Sequence, residues 1–115
     1  MRFALIFAIF LISCQWNAEQ AQNGDVKEFR ITARQFSFTP GEIEVKKGDT
    51  VRLIITSADV PHGFAIPEYG INEVLMPGEI VSVEFIADKE GTFTAYCSIY
   101  CGTGHSEMES RFIVN

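Results

Sequence analysis

The chain has 115 residues, enough for one small domain, and 47% of them are hydrophobic, as in a globular protein with a packed core. Its formal net charge of −6 at pH 7 argues against nucleic acid as a partner. The sequence shows no nucleophile paired with a base, no phosphate-binding loop and no haem attachment motif, so it predicts no catalytic site of these kinds.

Residues 1–13 have the pattern of an export signal, a positive charge followed by an apolar run from Phe3 to Ile12. As a helix this run would span about 15 Å, too little to cross a hydrocarbon core of about 30 Å. The segment Leu11 to Cys14 resembles the lipobox of bacterial lipoproteins, which implies a lipid on Cys14. An ordinary secretory leader that happens to contain a cysteine is the alternative. We expect an exported protein, lipid-anchored to the outer face, periplasmic or extracellular, of a bacterial membrane.

Residues 14–25 are polar and lack apolar periodicity, so they are predicted to form a tether behind the lipidated Cys14. About ten flexible residues reach about 17 Å, which would keep the domain close to the lipid surface. Trp16, next to the lipidated cysteine, is expected at the membrane interface.

Residues 26–115 are predicted to form an all-β sandwich. Polar and apolar residues alternate with period two along Phe29 to Ala33, Val51 to Ile55 and Val81 to Phe85, with Gly- and Pro-containing turns between such segments. No segment has the pattern of a long amphipathic helix, although a short helical turn from Thr103 to Glu107 is possible.

Soft metal ligands are concentrated near the C-terminus, where Cys97, Cys101, His105 and Met108 lie within twelve residues. Strands are predicted on both sides of this loop, from Thr92 to Cys97 and from Ser110 to Val114. The only other histidine, His62, is predicted at the end of a neighbouring strand, so all these ligands can converge. Thiolate and thioether ligands favour copper over harder cations.

Four interpretations of these ligands are open. The two cysteines could form a disulfide, but that leaves both histidines and Met108 unexplained. Cys97, Cys101 and the histidines could hold a structural zinc ion, which would not use Met108. A mononuclear blue-copper site of His62, Cys101, His105 and Met108 would leave Cys97 spare. A binuclear copper site would use them all.

The spacing Cys-x3-Cys-x3-His-x2-Met resembles the copper loop of the CuA domain of cytochrome c oxidase subunit II, in the cupredoxin superfamily. The segment Ala58 to Pro67 is similar to the one that carries the upstream histidine of that family, and Pro77-Gly78 falls at its Pro-Gly turn. The resemblance implies a cupredoxin-like Greek-key β-sandwich with two copper ions. The implied ligands are His62, Cys97, the backbone carbonyl of Ile99, Cys101, His105 and Met108. At Ile99 many members have an acidic residue that helps to bind magnesium, and at Glu79 many have an arginine.

The resemblance implies a chain that is not catalytic alone, but passes electrons from a c-type cytochrome to the haem-copper core of oxidase subunit I. The alternatives are a copper carrier for oxidase assembly, a mononuclear copper shuttle and a part of another CuA enzyme, such as one that reduces nitrous oxide. The stretch from Leu53 to Asp88 contains six acidic and no basic residues. We expect Glu68 and Glu73, in this stretch, to steer a cationic donor towards the copper end.

Overall fold

The computed structural model describes residues 26–115. The predicted signal segment 1–13 and the tether 14–25, with Cys14 and Trp16, lie outside these residues and stay predictions. Between residues 26 and 115, no helix combines the length and the apolar character needed to cross a membrane.

The described chain consists of nine strands and two 3-10 turns. The strands are β1 (Val26–Arg34), β2 (Ser37–Thr39), β3 (Glu42–Val45), β4 (Thr50–Ser57), β5 (His62–Ile66), β6 (Ile71–Leu75), β7 (Ile80–Ile86), β8 (Gly91–Tyr96) and β9 (Glu109–Val114). The 3-10 turns span Pro67–Tyr69 and His105–Glu107. The period-two segments of the sequence fall within β1, β4 and β7, and the second 3-10 turn lies where a helical turn was predicted.

The strands form two sheets, in the orders β2-β1-β4-β7 and β3-β9-β8-β5-β6. Strand β1 runs parallel to β4 and β3 runs parallel to β9, whereas the other pairs are antiparallel. In β4 every second residue is buried, so that Val51, Leu53 and Ile55 face the interior between the sheets. The predicted β-sandwich is therefore confirmed.

Strand pairing gathers four connections at one end of the sandwich, which we call the loop end. They are the turn 35–36, the segments 58–61 and 76–79, and the loop 97–108. His62 at the start of β5 pairs with Leu75 at the end of β6, and Thr56 pairs with Ile80 at the start of β7. Backbone N–H of Ala58 donates to the carbonyl of Ala33. Val26, where β1 begins, pairs with Thr50 and lies at the opposite end.

The expectation that Glu68 faces the copper end is wrong. Strand β5 runs away from His62, and Ile66 at its far end pairs with Ile71. Glu68 follows Ile66 in a 3-10 turn, so it lies at the opposite end of the sandwich. Glu73 pairs with Phe64, halfway along the strand. The sequence stretch is continuously acidic, but strand reversal distributes its charges over both ends.

Candidate metal centre

The loop 97–108 is held at both ends by one antiparallel pair of strands. Tyr96, the last residue of β8, lies opposite Glu109, the first residue of β9. Backbone N–H of Cys97 then donates to the carbonyl of Met108 at 3.1 Å, which extends the ladder by one step into the loop. This bond fixes the backbone of Cys97 and Met108, and the side chains of both residues are buried.

The two cysteine sulfurs lie side by side without a covalent bond between them. Cys97 Sγ and Cys101 Sγ are 3.4 Å apart, whereas a disulfide bond measures about 2.05 Å. Both thiols are buried and free. The site therefore presents a pair of sulfur ligands instead of a disulfide.

Each sulfur has its own imidazole. His62 Nδ1 lies 3.8 Å from Cys97 Sγ, and His105 Nδ1 lies 3.8 Å from Cys101 Sγ. The ligand atoms of His62, Cys97 and Cys101 all lie within 4.8 Å of one another. His105 approaches this group from the side of Cys101, so the two imidazoles flank the sulfur pair.

Each sulfur also has one weaker donor nearby. The carbonyl oxygen of Ile99 lies 3.1 Å from Cys97 Sγ, and Met108 Sδ lies 3.7 Å from Cys101 Sγ. All six donor groups named from the sequence therefore meet in one place. A sulfur, an imidazole and a weak donor therefore occur together twice, once at each cysteine.

The surroundings favour the protonated form of the Cys101 thiol. Burial, together with hydrogen bonding and charge repulsion from the neighbouring Cys97, raises its pKa to about 11. A cation that binds here as a thiolate complex has to displace the thiol proton. Binding a metal ion therefore compensates the cost of a buried negative sulfur.

Asp59 orients the His62 ring. His62 is fully buried, and its Nε2 lies 2.8 Å from Asp59 Oδ1. Partial burial raises the pKa of Asp59, but hydrogen bonds from the backbone of Gln35, from His62 and from the backbone of Val60 outweigh it and lower that pKa overall. With Asp59 ionised, Nε2 carries the proton and Nδ1 presents its lone pair to the sulfurs.

Sequence reasoning missed three residues that shape the site, Asp59, Gln35 and Gly63. The spacing of Asp59, three residues before His62, was a local signal for its role. Gln35 contacts the carbonyl of Cys101, 66 residues further along the chain, and no local pattern points to such a contact.

Gly63 lets the ligand loop lie directly on β5. A Cβ atom at this position would lie 2.1 Å from Ser98 Oγ and 2.8 Å from the backbone nitrogen of Ser98. Ser98 Oγ also donates to Asn72 Oδ1 at 2.8 Å, which ties the loop to β6. Only a residue without a side chain fits between His62 and this part of the loop.

His105 is the ligand nearest to the surface. It is partly exposed, and its ring packs at 5.5 Å between centroids against Tyr100, which is 72% exposed. Phe64 is instead buried and packs edge-on against Phe38, so it belongs to the core. Tyr100 therefore covers the His105 ring, and Phe64 supports the site from inside.

The donor set fits copper. Two sulfur ligands, two imidazole nitrogens, a thioether and a carbonyl oxygen form a soft set in a site that is mostly shielded from water. The thioether and the carbonyl place one weak donor beside each pair of cysteine and histidine. Trigonal copper sites also combine cysteine and histidine with a weak ligand. Zinc would use the thiols and imidazoles, but it would leave the buried thioether without a role.

Residues 17–114 match the family model described as the periplasmic domain of cytochrome c oxidase subunit II. The chain belongs to this family. The match covers the described domain except its last residue, and it identifies a CuA-type electron-transfer domain of cupredoxin-like fold.

The relatives of this chain include two kinds of protein of different length. The chain is 46% identical over 97 residues to a nitrous-oxide reductase of Ralstonia nicotianae, covering 81% of this chain and 15% of that protein. It is 36% identical over 84 residues to cytochrome c oxidase subunit 2 of Thermus thermophilus, covering 73% of this chain and 62% of that one. The chain thus spans less than two thirds of either relative.

Solved structures confirm the fold. A chain of a heme-copper terminal oxidase dimer superposes with a TM-score of 0.73 at 28% identity, covering 90% of this chain and 78% of that one. The periplasmic domain of subunit II (CoxB) of Bradyrhizobium japonicum superposes with a TM-score of 0.71 at 25% identity, covering 77% and 83%. The cupredoxin-like sandwich expected from the sequence is confirmed.

The contact at Gly63 predicts a large effect of a small substitution. Gly63→Ala should push the loop away from β5 and lower the free energy of unfolding by about 1–3 kcal/mol, as overpacking does in a buried site. Copper retention should fall with it. Thermal unfolding and metal analysis measure the two effects. Gly41→Ala is the control, because the nearest atom to a Cβ there would be the carbonyl oxygen of Phe38, at 3.9 Å. Equal effects of both variants would contradict the prediction.

Proposed function

We propose that this chain is the copper-binding electron-transfer component of a cytochrome c oxidase, which receives electrons from a c-type cytochrome and passes them to subunit I. The observation that carries the proposal is the paired donor set, in which each of two adjacent sulfurs has its own imidazole and its own weak donor. Copper, when bound, supplies a one-electron redox couple in this pocket.

The chain contributes a preformed and shielded pocket. Cys97 and Met108 are fixed by the β8–β9 ladder, and His62 by β5 and Asp59. Ligands held in this way need little rearrangement when the charge of the site changes, which favours fast electron transfer. We propose two copper ions, held by His62, Cys97, the carbonyl of Ile99, Cys101, His105 and Met108.

Stoichiometry tests this assignment. Metal analysis of the full chain should give two copper ions per chain. Cys97→Ser should leave at most one, because it removes one of the paired sulfurs. Met108→Leu should keep both and mainly shift the reduction potential, since a thioether is a weak ligand. One copper per wild-type chain with a blue mononuclear spectrum would refute the binuclear proposal, as would loss of copper from Met108→Leu as complete as from Cys101→Ser.

Burial argues against a copper carrier. His62 and Met108 are both fully buried, and Cys97 is nearly so. A protein that hands over its metal needs ligands that an acceptor can reach, whereas His105 is the one partly exposed side-chain ligand here. Rapid transfer of copper from the loaded chain to a second protein would support the carrier.

A second candidate concerns the electron acceptor. A nitrous-oxide reductase matches over 97 residues at 46% identity, whereas subunits 2 of two cytochrome c oxidases match over 84 residues at 36% and over 64 residues at 48%. The longer match favours, as the second candidate, transfer of electrons to an enzyme that reduces nitrous oxide. The reduced chain can be mixed with each purified acceptor in turn, and the acceptor that it reoxidises within milliseconds decides between the two.

The loop end offers acidic residues for a cationic donor. Glu79 lies in the turn between β6 and β7, and Glu107 lies in the 3-10 turn that begins at His105. Both are exposed. Exposed apolar side chains, Met76, Ile80 and Tyr100, belong to the same end of the sandwich. We propose that a donor docks here, on an apolar surface with an acidic rim.

Charge substitutions at the loop end should slow the donor. Replacing Glu79 and Glu107 together by Gln should lower the association rate with a basic cytochrome c roughly two- to fivefold at low salt and reduce its salt dependence. Glu68→Gln is the matched control, since Glu68 lies at the opposite end. Stopped-flow reduction at increasing ionic strength measures the rates. Equal effects of the double variant and the control would mean that docking does not depend on these charges.

We further propose that the chain is held at the membrane through a lipid on Cys14, which lies outside the described residues. The support is the lipobox-like segment and the short apolar run before it. Cys14→Ala should abolish the mass increase of the N-terminal peptide and release most of the protein from washed membranes. Cys97→Ala is the control and should leave membrane attachment unchanged. A Cys14→Ala protein as firmly bound as wild type would overturn the anchor.

A further inference from the structure

We propose that Gln35 is a positioning residue that connects the two halves of the metal site. It lies in the turn between β1 and β2, outside the segments that carry the ligands. Its side-chain Nε2 donates to the carbonyl of Cys101 at 2.8 Å. Its backbone N–H donates to Asp59 Oδ2, also at 2.8 Å.

These contacts form one continuous chain of hydrogen bonds. Asp59 accepts from Gln35 through one oxygen and holds His62 Nε2 through the other. The path therefore runs from the His62 imidazole through Asp59 and Gln35 to the backbone of Cys101. It links a ligand on β5 to a ligand in the loop 97–108 through a residue that belongs to neither.

The neighbouring Phe36 places this turn against the loop. A Cβ atom on Gly102 would lie 2.8 Å from the Phe36 ring, and one on Gly104 would lie 2.5 Å from it. The ring thus lies directly on the backbone that follows Cys101. Gly102 also has a φ of 137°, which a residue with a side chain rarely adopts. The loop backbone is shaped to receive the turn.

Gln35 acts where the loop has least other support. The ends of the loop are held by the hydrogen bond between Cys97 and Met108. Around the 3-10 turn, backbone N–H groups of residues 105, 107 and 108 donate to carbonyls three residues earlier. Cys101 lies between these two regions, and the amide of Gln35 is the donor to its carbonyl. Fixing that peptide group fixes the direction of the Cys101 side chain, and with it the separation of the sulfurs.

The inference rests on the proposed function only for the identity of the metal, so its test begins without metal. Gln35→Met keeps the length of the side chain and the backbone N–H to Asp59, but removes the amide donor. In the metal-free full chain, hydrogen exchange of amides between residues 98 and 107 should become about tenfold faster, as expected for the loss of one hydrogen bond. Exchange in the nine described strands should stay unchanged.

The loaded chain gives an independent readout. Copper-loaded Gln35→Met should show a shifted reduction potential and faster copper loss to a chelator, because the position of Cys101 is less sharply defined. Arg34→Met is the control, since Arg34 is an exposed neighbour on β1. Unchanged loop exchange and potential in Gln35→Met would overturn the proposal, and so would a uniform rise in exchange over all strands, which would show a general loss of stability. A wild-type chain that binds no copper would refute the proposed function but leave the metal-free comparison decisive.

Discussion

The antiparallel pairing of β8 with β9 is the constraint on which the metal site depends. It brings Tyr96 and Glu109 opposite each other, and the next bond joins Cys97 to Met108. A loop of twelve residues would otherwise have many conformations, and closing it costs entropy. Because the ladder has already closed the loop, only its middle needs further contacts, and these come from residues distant in the sequence.

Those contacts come from both sheets. Strand β5 in one sheet presents His62 and, through Gly63, accepts the loop against its own backbone. The turn after β1 in the other sheet presents Gln35 and Phe36. The site therefore lies where the two sheets meet at the loop end, and a change in how the sheets pack would alter the separation of the ligands.

The ligands were easier to predict from the sequence than the residues that hold them in position. Cys97, Cys101, His105 and Met108 are close in sequence, and strand alternation around them indicated a loop between two strands. Short strands such as β2 and β3 were missed because three or four residues show too little alternation to recognise. The contacts of Gln35 and the position of Glu68 depend on strand register and direction. Neither can be derived from the number of acidic or polar residues in a segment.

Much of the hydrophobic core of the sandwich consists of residues that are not metal ligands. Val51, Leu53 and Ile55 bury the face of β4, and an aromatic cluster of Tyr69, Phe85, Phe93 and Phe112 packs inside the same sandwich, with ring centroids 5.0–5.9 Å apart. None of these residues is a metal ligand, so this part of the core packs without copper, although Cys97, Cys101 and Met108 join the same hydrophobic cluster. The fold can therefore hold buried thiols and imidazoles close together before the metal arrives, and the geometry of the site is set by the protein.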